Sequence, residues 1–236
     1  GRSWAASVTE MRRPNIILLM DDQRRCDAIG RVDPTTKTPA LDRLAGEGIL
    51  FSQAVCQAPM CVPSRYSMML GLYPHQVGIL SNGPGLSDEQ LPCDPLPELL
   101  RKAGYQTAGF GKTHWSAKEA STRGFEVRYA STDPEMGAVL MSQHNPAGLK
   151  RYYDEVAPYG SGEERPAGYL GRTSQVPEED HRDGWALNRC LEFLDRGLDE
   201  KRPLFLYLSF LKPHAANNVP PGYEDLYDLA SMPVPE

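Results

Sequence analysis

Ala58-Pro59-Met60-Cys61-Val62-Pro63-Ser64-Arg65, continued by Tyr66-Ser67-Met68-Met69-Leu70-Gly71, is the stretch on which the reading of this chain turns. Pro63 suits the first turn of a helix, where its missing N–H is not needed. Ser64 to Leu70 continue as helix formers with an apolar face until Gly71. The pattern therefore puts Cys61 just before a helix N-terminus, where free N–H groups and the helix dipole favour negative charge. Arg65, about one turn in, can reach back to the same spot, so an oxyanion or an ionised nucleophile is stabilised there. On this spacing alone a buried structural cysteine is the competing reading.

Working outward, three more apolar runs end in polar groups. Asn15-Ile-Ile-Leu-Leu-Met20 has the composition of a strand buried on both faces of a parallel sheet, and it ends in Asp21-Asp22. Two carboxylates at a strand's carboxyl end suit a hard divalent cation such as Ca²⁺ or Mg²⁺, against the alternative of a solvated turn or cap. Tyr105 to Phe110 reads as a strand after a short helix, Leu96 to Ala103, closed by Gly104; it runs into Gly111-Lys112-Thr113-His114. Lys112 supplies a compact positive charge, and a histidine such as His114 can exchange a proton near neutral pH. Leu204 to Phe210 is another fully buried strand by composition and is followed by Leu211-Lys212-Pro213-His214. A parallel sheet brings its carboxyl ends to one edge, so these groups can converge with Cys61 and Arg65.

The remaining segments frame these strands. Thr38-Pro39 starts a helix with Leu41, Leu44 and Ala45 on its apolar face, and Ile49 to Val55 reads as a strand delivering the chain to Cys61. Glu179 to Asp195 is the clearest amphipathic helix, with Trp185, Leu187, Leu191 and Leu194 on its apolar side. Between Trp115 and Pro177 periodicity is lost, which marks residues 115–177 as an irregular insertion, either a specificity element or a surface excursion. Lys212, His144 and His181 are read as exposed, and His75 as structural or substrate-facing.

Composition bounds the function. The chain has 236 residues, 40% of them hydrophobic and 24% charged, ordinary values for a globular protein. A net charge of -6 argues against a general nucleic-acid binder, though not against a local anion site. No apolar run approaches bilayer length, so no membrane partner is expected. Five scattered cysteines, without a Cys-x-x-Cys pair, speak against a disulfide framework or a zinc site. Residues 1–10 lack the apolar core of a signal peptide and read as upstream sequence before a start at Met11, with 11–236 as the catalytic segment. That points to the cytoplasm, or to the periplasm or secretion where an export signal has been removed.

The segment around Cys61, Cys-x-Pro-x-Arg followed by an apolar pair and a glycine, resembles the signature of the type I sulfatases. Val62 and Leu70 depart slightly from its commonest form. The resemblance extends to Thr-Pro-Ala-Leu-Asp-Arg-Leu-Ala-x-Glu-Gly from Thr38, to Gly-Lys-x-His from Gly111 and to Pro213-His214. It implies an alkaline-phosphatase-like α/β sandwich with a mostly parallel central sheet and helices on both faces, here incomplete. It further implies that Cys61 is oxidised by a formylglycine-generating enzyme to an aldehyde whose hydrate attacks a small sulfate-ester substrate. In that pattern Asp21, Asp22 and residue 61 hold calcium (magnesium is possible), and Lys112 and His214 bind the sulfate. His214 also assists the leaving alcohol, Arg65 supports the nucleophile, and His114 takes the proton that restores the aldehyde.

Family members complete the metal site with a later Asp-Asn or Asp-His pair, add a second lysine, and carry a C-terminal subdomain; none of these precedes Glu236. The chain is accordingly expected to be an N-terminal portion that lacks part of the machinery for activity by itself. Two alternatives stand beside the sulfatase: a phosphonate monoester or phosphodiester hydrolase of the same superfamily, and a non-catalytic truncated remnant. A hydrolase using an unmodified Cys61 thiolate accounts for the other motifs less well.

Overall fold

Leu204–Pro213 is the strand against which the other elements are laid, and its sequence explains why. Leu204, Leu206 and Leu208 alternate with Phe205 and Tyr207, so both faces are apolar and all five residues are buried. The computed structural model describes residues 13–115, 122–131, 143–156, 171–215, 217–228, 230 and 232. Among them, the strands are Ile16–Asp22 (β1), Gln106–Gly111 (β2), Val127–Ala130 (β3), Arg172–Thr173 (β4), Leu204–Pro213 (β5) and Asn218–Val219 (β6). The main sheet has the order β1-β5-β2-β3 with every pairing parallel, and β4 pairs in parallel with β6.

The helices are Pro39–Glu47 (α1), Cys61–Leu70 (α2), Pro74–Val77 (α3), Leu96–Lys102 (α4), Pro146–Val156 (α5) and Arg182–Arg196 (α6). They cover both faces. Val62, Tyr66 and Met69 of α2 pack with Phe205 and Tyr207 of β5 and with Tyr105, Trp115 and Phe125. Cys190 and Phe193 of α6 pack on the other face, against Leu204, Leu206 and Leu208 and against Ala108 and Phe110 of β2. Burying one such aliphatic or aromatic side chain is worth about 1.5–3 kcal/mol. The α/β sandwich with a mostly parallel sheet that the resemblance implies is thus observed.

Several local expectations are corrected. β1 is the edge strand of the described sheet, paired to β5 alone, so Ile17 and Leu19 are 65% and 48% exposed rather than buried. Ile49 to Val55 forms no strand, because no described strand lies beside it; Ile49, Phe51 and Val55 are 79%, 75% and 84% exposed. The apolar side of α1 is likewise unburied, with Leu44 54% exposed. Within 115–177 the structure places β3, α5 and β4; α5 has its own apolar pair, Leu149 and Tyr152, buried three residues apart. That spacing was masked by the surrounding Gly, Pro and Tyr. The rest of the stretch, residues 116–121, 132–142 and 157–170, lies outside the described residues, as do residues 1–12 and hence Met11. His144 is exposed as expected, but His181 is buried beside Ser174 and Val176.

Candidate active site at the carboxyl edge of the sheet

Register brings the strand ends together. β1 and β5 run in step from Ile16 beside Phe205 to Met20 beside Ser209, and an irregularity then sets Asp22 beside Pro213, next to His214. Such breaks in the ladder re-aim side chains. At the end of β2, Gly111 has φ 83°, and a β-carbon there would overlap the Ser209 carbonyl oxygen. Only glycine fits that close, left-handed passage. It places Lys112, whose N–H donates to Ser209 O at 2.7 Å, against the same edge.

The groups that converge form one buried ionic cluster. Asp22 Oδ2 accepts from Arg65 Nη2 at 2.9 Å and lies 2.8 Å from Lys112 Nζ; the three residues are 6%, 3% and 2% exposed. Arg65 Nη1 donates to Lys112 O at 2.6 Å, to Tyr207 Oη at 2.7 Å and to Ser209 Oγ at 3.1 Å. Cys61 Sγ stands 3.7 Å from Asp22 Oδ1 and 3.6 Å from Lys112 Nζ. Burial by itself pushes the Asp22 carboxyl up, but the hydrogen bonds and charges of Lys112 and then Arg65 outweigh it and hold the group below the usual carboxylate range. Asp22 is therefore an anion shared by two cations.

Cys61 is the first residue of α2, not the residue before it. The helix ends at Gly71 in left-handed backbone (φ 66°), whose N–H donates to Ser67 O at 2.9 Å. Near its start, the Val62 N–H donates to Asn82 Oδ1 at 3.0 Å. Asn82 also lines the cavity over Cys61, and nothing in Ser81-Asn82-Gly83 beyond a turn signal pointed to it. Tyr207 was hidden in the same way, as one aromatic among the apolar residues of β5. The cavity measures about 580 Å³ and is also lined by Asp21, Asp22, Cys56, Ser64, Arg65 and His214.

Donor atoms of Asp22, Cys61 and His214 all lie within 4.8 Å of one another, a carboxylate oxygen, a sulfur and a ring nitrogen able to surround one cation. His214 Nδ1 is 2.7 Å from Ala215 O. Asp21 belongs to the cavity but not to that trio, and its carboxylate lies 2.5 Å from Arg24 Nε. His114 follows Lys112 by two residues in left-handed backbone (φ 51°) and is half-buried; it is not among the residues lining the cavity. Lys212 is not simply exposed: burial lowers its pKa, and Nζ donates to Asn218 Oδ1 at 2.8 Å. His75 stacks on Tyr73 away from the cluster. No described helix is long and apolar enough to cross a membrane.

Known proteins resemble this chain in sequence and in fold. The chain is 29% identical over 225 residues to an ulvan-active sulfatase of Formosa agariphila, covering 94% of this chain and 40% of that protein. It is 29% identical over 242 residues to an arylsulfatase of Clostridium perfringens, covering 94% and 48%. The chain thus spans somewhat under half the length of these curated relatives. In fold it is similar to the phosphonate monoester hydrolase of Agrobacterium radiobacter, with a TM-score of 0.70, 23% identity, and 94% and 45% of the two chains covered. The sulfatase family model matches residues 14–236, so this chain belongs to the sulfatase family.

Proposed function

We propose that the whole protein hydrolyses sulfate esters, with Cys61 oxidised to formylglycine as the nucleophile and a divalent cation beside Asp22. The observation that carries this reading is the placement of Cys61 at the first position of α2, within 3.7 Å of Asp22 and Lys112. The hydrated aldehyde would supply one hydroxyl to attack sulfur and a second from which the aldehyde is regenerated. Lys112, itself buried and 3.6 Å from Cys61 Sγ, offers a fixed charge to the oxygens of an ester held there. Arg65 has its Nη groups engaged by Asp22, Lys112 O, Tyr207 and Ser209, so it holds the cluster in place and does not grip substrate. His214, which lines the cavity, is assigned the proton for the departing alcohol, and His114 proton exchange with the nucleophile.

The donor set bears on the cation. Calcium and magnesium take oxygen ligands, whereas a thiol and an imidazole suit softer ions. Oxidation of Cys61 exchanges sulfur for oxygen in the trio with Asp22 and His214, which makes the set hard enough for calcium. Asp21, at the rim of the same cavity, can join by turning from Arg24. When bound, the cation would supply charge that polarises the ester.

The test is peptide mass spectrometry of residues 44–65 after expression with a formylglycine-generating enzyme. The aldehyde mass at position 61 is expected; an intact thiol, with a control substrate converted in the same cells, would overturn the proposal. Paired assays of the complete protein on an aryl sulfate and an aryl phosphodiester then separate a sulfatase from a phosphodiester or phosphonate monoester hydrolase.

A further inference from the structure

His214 is carried by the part of β5 that has left the regular ladder. Ser209 pairs with Met20 on one side and Gly111 on the other, and the next pairing is Asp22 beside Pro213. A strand between two neighbours turns its N–H groups alternately to one and the other. Leu211 and Lys212 instead turn both of theirs to a single side chain. Leu211 N donates to Asp183 Oδ1 at 2.6 Å, and Lys212 N donates to Asp183 Oδ2 at 2.9 Å. The His214 N–H then donates to Leu211 O at 3.1 Å, closing a turn over residues 211–214.

Asp183 comes from the helix packed against that strand. It is in the first turn of α6, where the helix dipole favours a carboxylate, and α6 lies on β5 through Cys190 and Phe193. Its neighbour Arg182 turns away, donating to Tyr153 Oη at 2.8 Å and stacking over the Tyr152 and Tyr153 rings. Both Asp183 oxygens thus bind the β5 backbone. Burial pushes the carboxyl pKa up, while the two N–H bonds, and then the charges of Lys212 and His181, oppose that rise and favour the ionised form.

The turn ends at the ring. His214 Nδ1 is 2.7 Å from Ala215 O; a carbonyl only accepts, so Nδ1 carries the hydrogen and the neutral ring keeps its lone pair on Nε2. A ring nitrogen of His214 lies within 4.8 Å of an Asp22 carboxylate oxygen and of Cys61 Sγ. We propose that Asp183 is a positioning residue of the Cys61 site: by holding two successive N–H groups of β5 it fixes the 211–214 turn, and with it the His214 ring in the cavity. The proton role of His214 rests on the sulfatase reading; the placement of its ring by Asp183 does not.

The experiment follows the histidine ring nitrogens by NMR in the complete ¹⁵N-labelled protein, with the His214 signals identified by their loss in His214→Gln. Asp183→Asn keeps the size but replaces one acceptor with a donor that faces an N–H. Thr107→Val is the control for destabilisation alone: it cuts the bonds to Gly124 O and from Glu126 N at the amino end of the sheet. The parent and Thr107→Val should show one His214 tautomer, protonated at Nδ1, with ring protons close to the Cys61 β-protons. Asp183→Asn should give averaged tautomer shifts and lose that proximity. Ring signals unchanged in folded Asp183→Asn, or altered equally in Thr107→Val, would overturn the proposal. In the parent itself the Leu211 and Lys212 amides should exchange slowly with solvent; fast exchange would overturn it whether or not the variant folds. Kinetics on butyl sulfate and 4-nitrophenyl sulfate then read the consequence. Asp183→Asn should lower kcat at least about tenfold on the alkyl ester, whose alcohol needs a proton to leave, and far less on the aryl ester, with KM little changed. Equal losses on both esters would reduce Asp183 to a stabilising residue. The ring signals are read with Cys61 unmodified and without turnover, so failure of the sulfatase reading is distinguishable from failure of this one.

Discussion

Replacing Asp22 by alanine tests whether the cluster is held together as described. The substitution leaves Arg65 and Lys112, both almost fully buried, facing each other without an anion. Removing one partner of a buried ion pair costs about 3–5 kcal/mol, chiefly because the other charge stays desolvated. Arg65 keeps its bonds to Lys112 O, Tyr207 and Ser209, which places the loss toward the lower end of that range. In a chain of this size each kcal/mol moves Tm by about 2–4 °C, so a drop of roughly 6–12 °C is expected. Thermal and urea unfolding at pH 7, followed by far-ultraviolet circular dichroism, reads it. The vacated space lies between two cations, so sulfate in 100-fold excess over its Kd should restore about 2.7 kcal/mol. The gap between parent and variant should also close in acid. The folded pKa of Asp22 is depressed, so its contribution is complete above the unfolded value of 3.8 and is lost as pH falls through the lower folded value. A Tm change under 2 °C that neither sulfate nor acid alters would refute the shared-anion account.

Two further outcomes follow from the geometry. Gly111→Ala should lower stability by at least about 1–2 kcal/mol, because φ 83° is unfavourable for any L side chain and the added methyl overlaps Ser209 O; urea midpoints unchanged from the parent would contradict it. His181 is held below its ordinary 6.5 by burial, with its bond to Val176 O opposing. The unfolded chain therefore takes up the proton first, and the stabilisation, full above pH 6.5, is lost as pH falls through the folded value. Lys212, Asp183 and Glu155 face the same ring, so His181→Gln should flatten the slope of unfolding free energy just below pH 6.5 while leaving the steeper fall below pH 4.5.

What could be read from the sequence was what depends on local chemistry. Apolar runs ending in Asp22, Lys112 and His214 announce strands whose carboxyl ends meet, and Pro63 with Gly71 brackets the helix that carries Cys61. What escaped depends on neighbours. A run such as Ile49 to Val55 becomes a strand only where another strand accepts its hydrogen bonds, and the composition of β1 cannot say that it lies at an edge. Asn82 and Tyr207 entered the site through tertiary placement, from a turn and from a strand interior. His181 is polar by type and buried by position, and Lys212 is half-buried. Asp183 accepts from the Lys212 backbone from 29 residues away, while Asn218 and Ser174 meet the two side chains from six and seven residues off.

The pairing of β1 with β5 also has a consequence in time. Ile16 finds its partner Phe205 only after a further 189 residues have been made, and the β5 part of the face on which α2 packs, Phe205 and Tyr207, arrives with it. Synthesis proceeds at about 5–20 residues per second, so on the order of ten seconds separates the emergence of Arg65 from that of His214. Pairings so far apart in sequence are slow to close even once both strands exist. On the function proposed above, that interval is when the segment carrying Cys61 would be accessible to a modifying enzyme, and the closing of the sheet would end the opportunity.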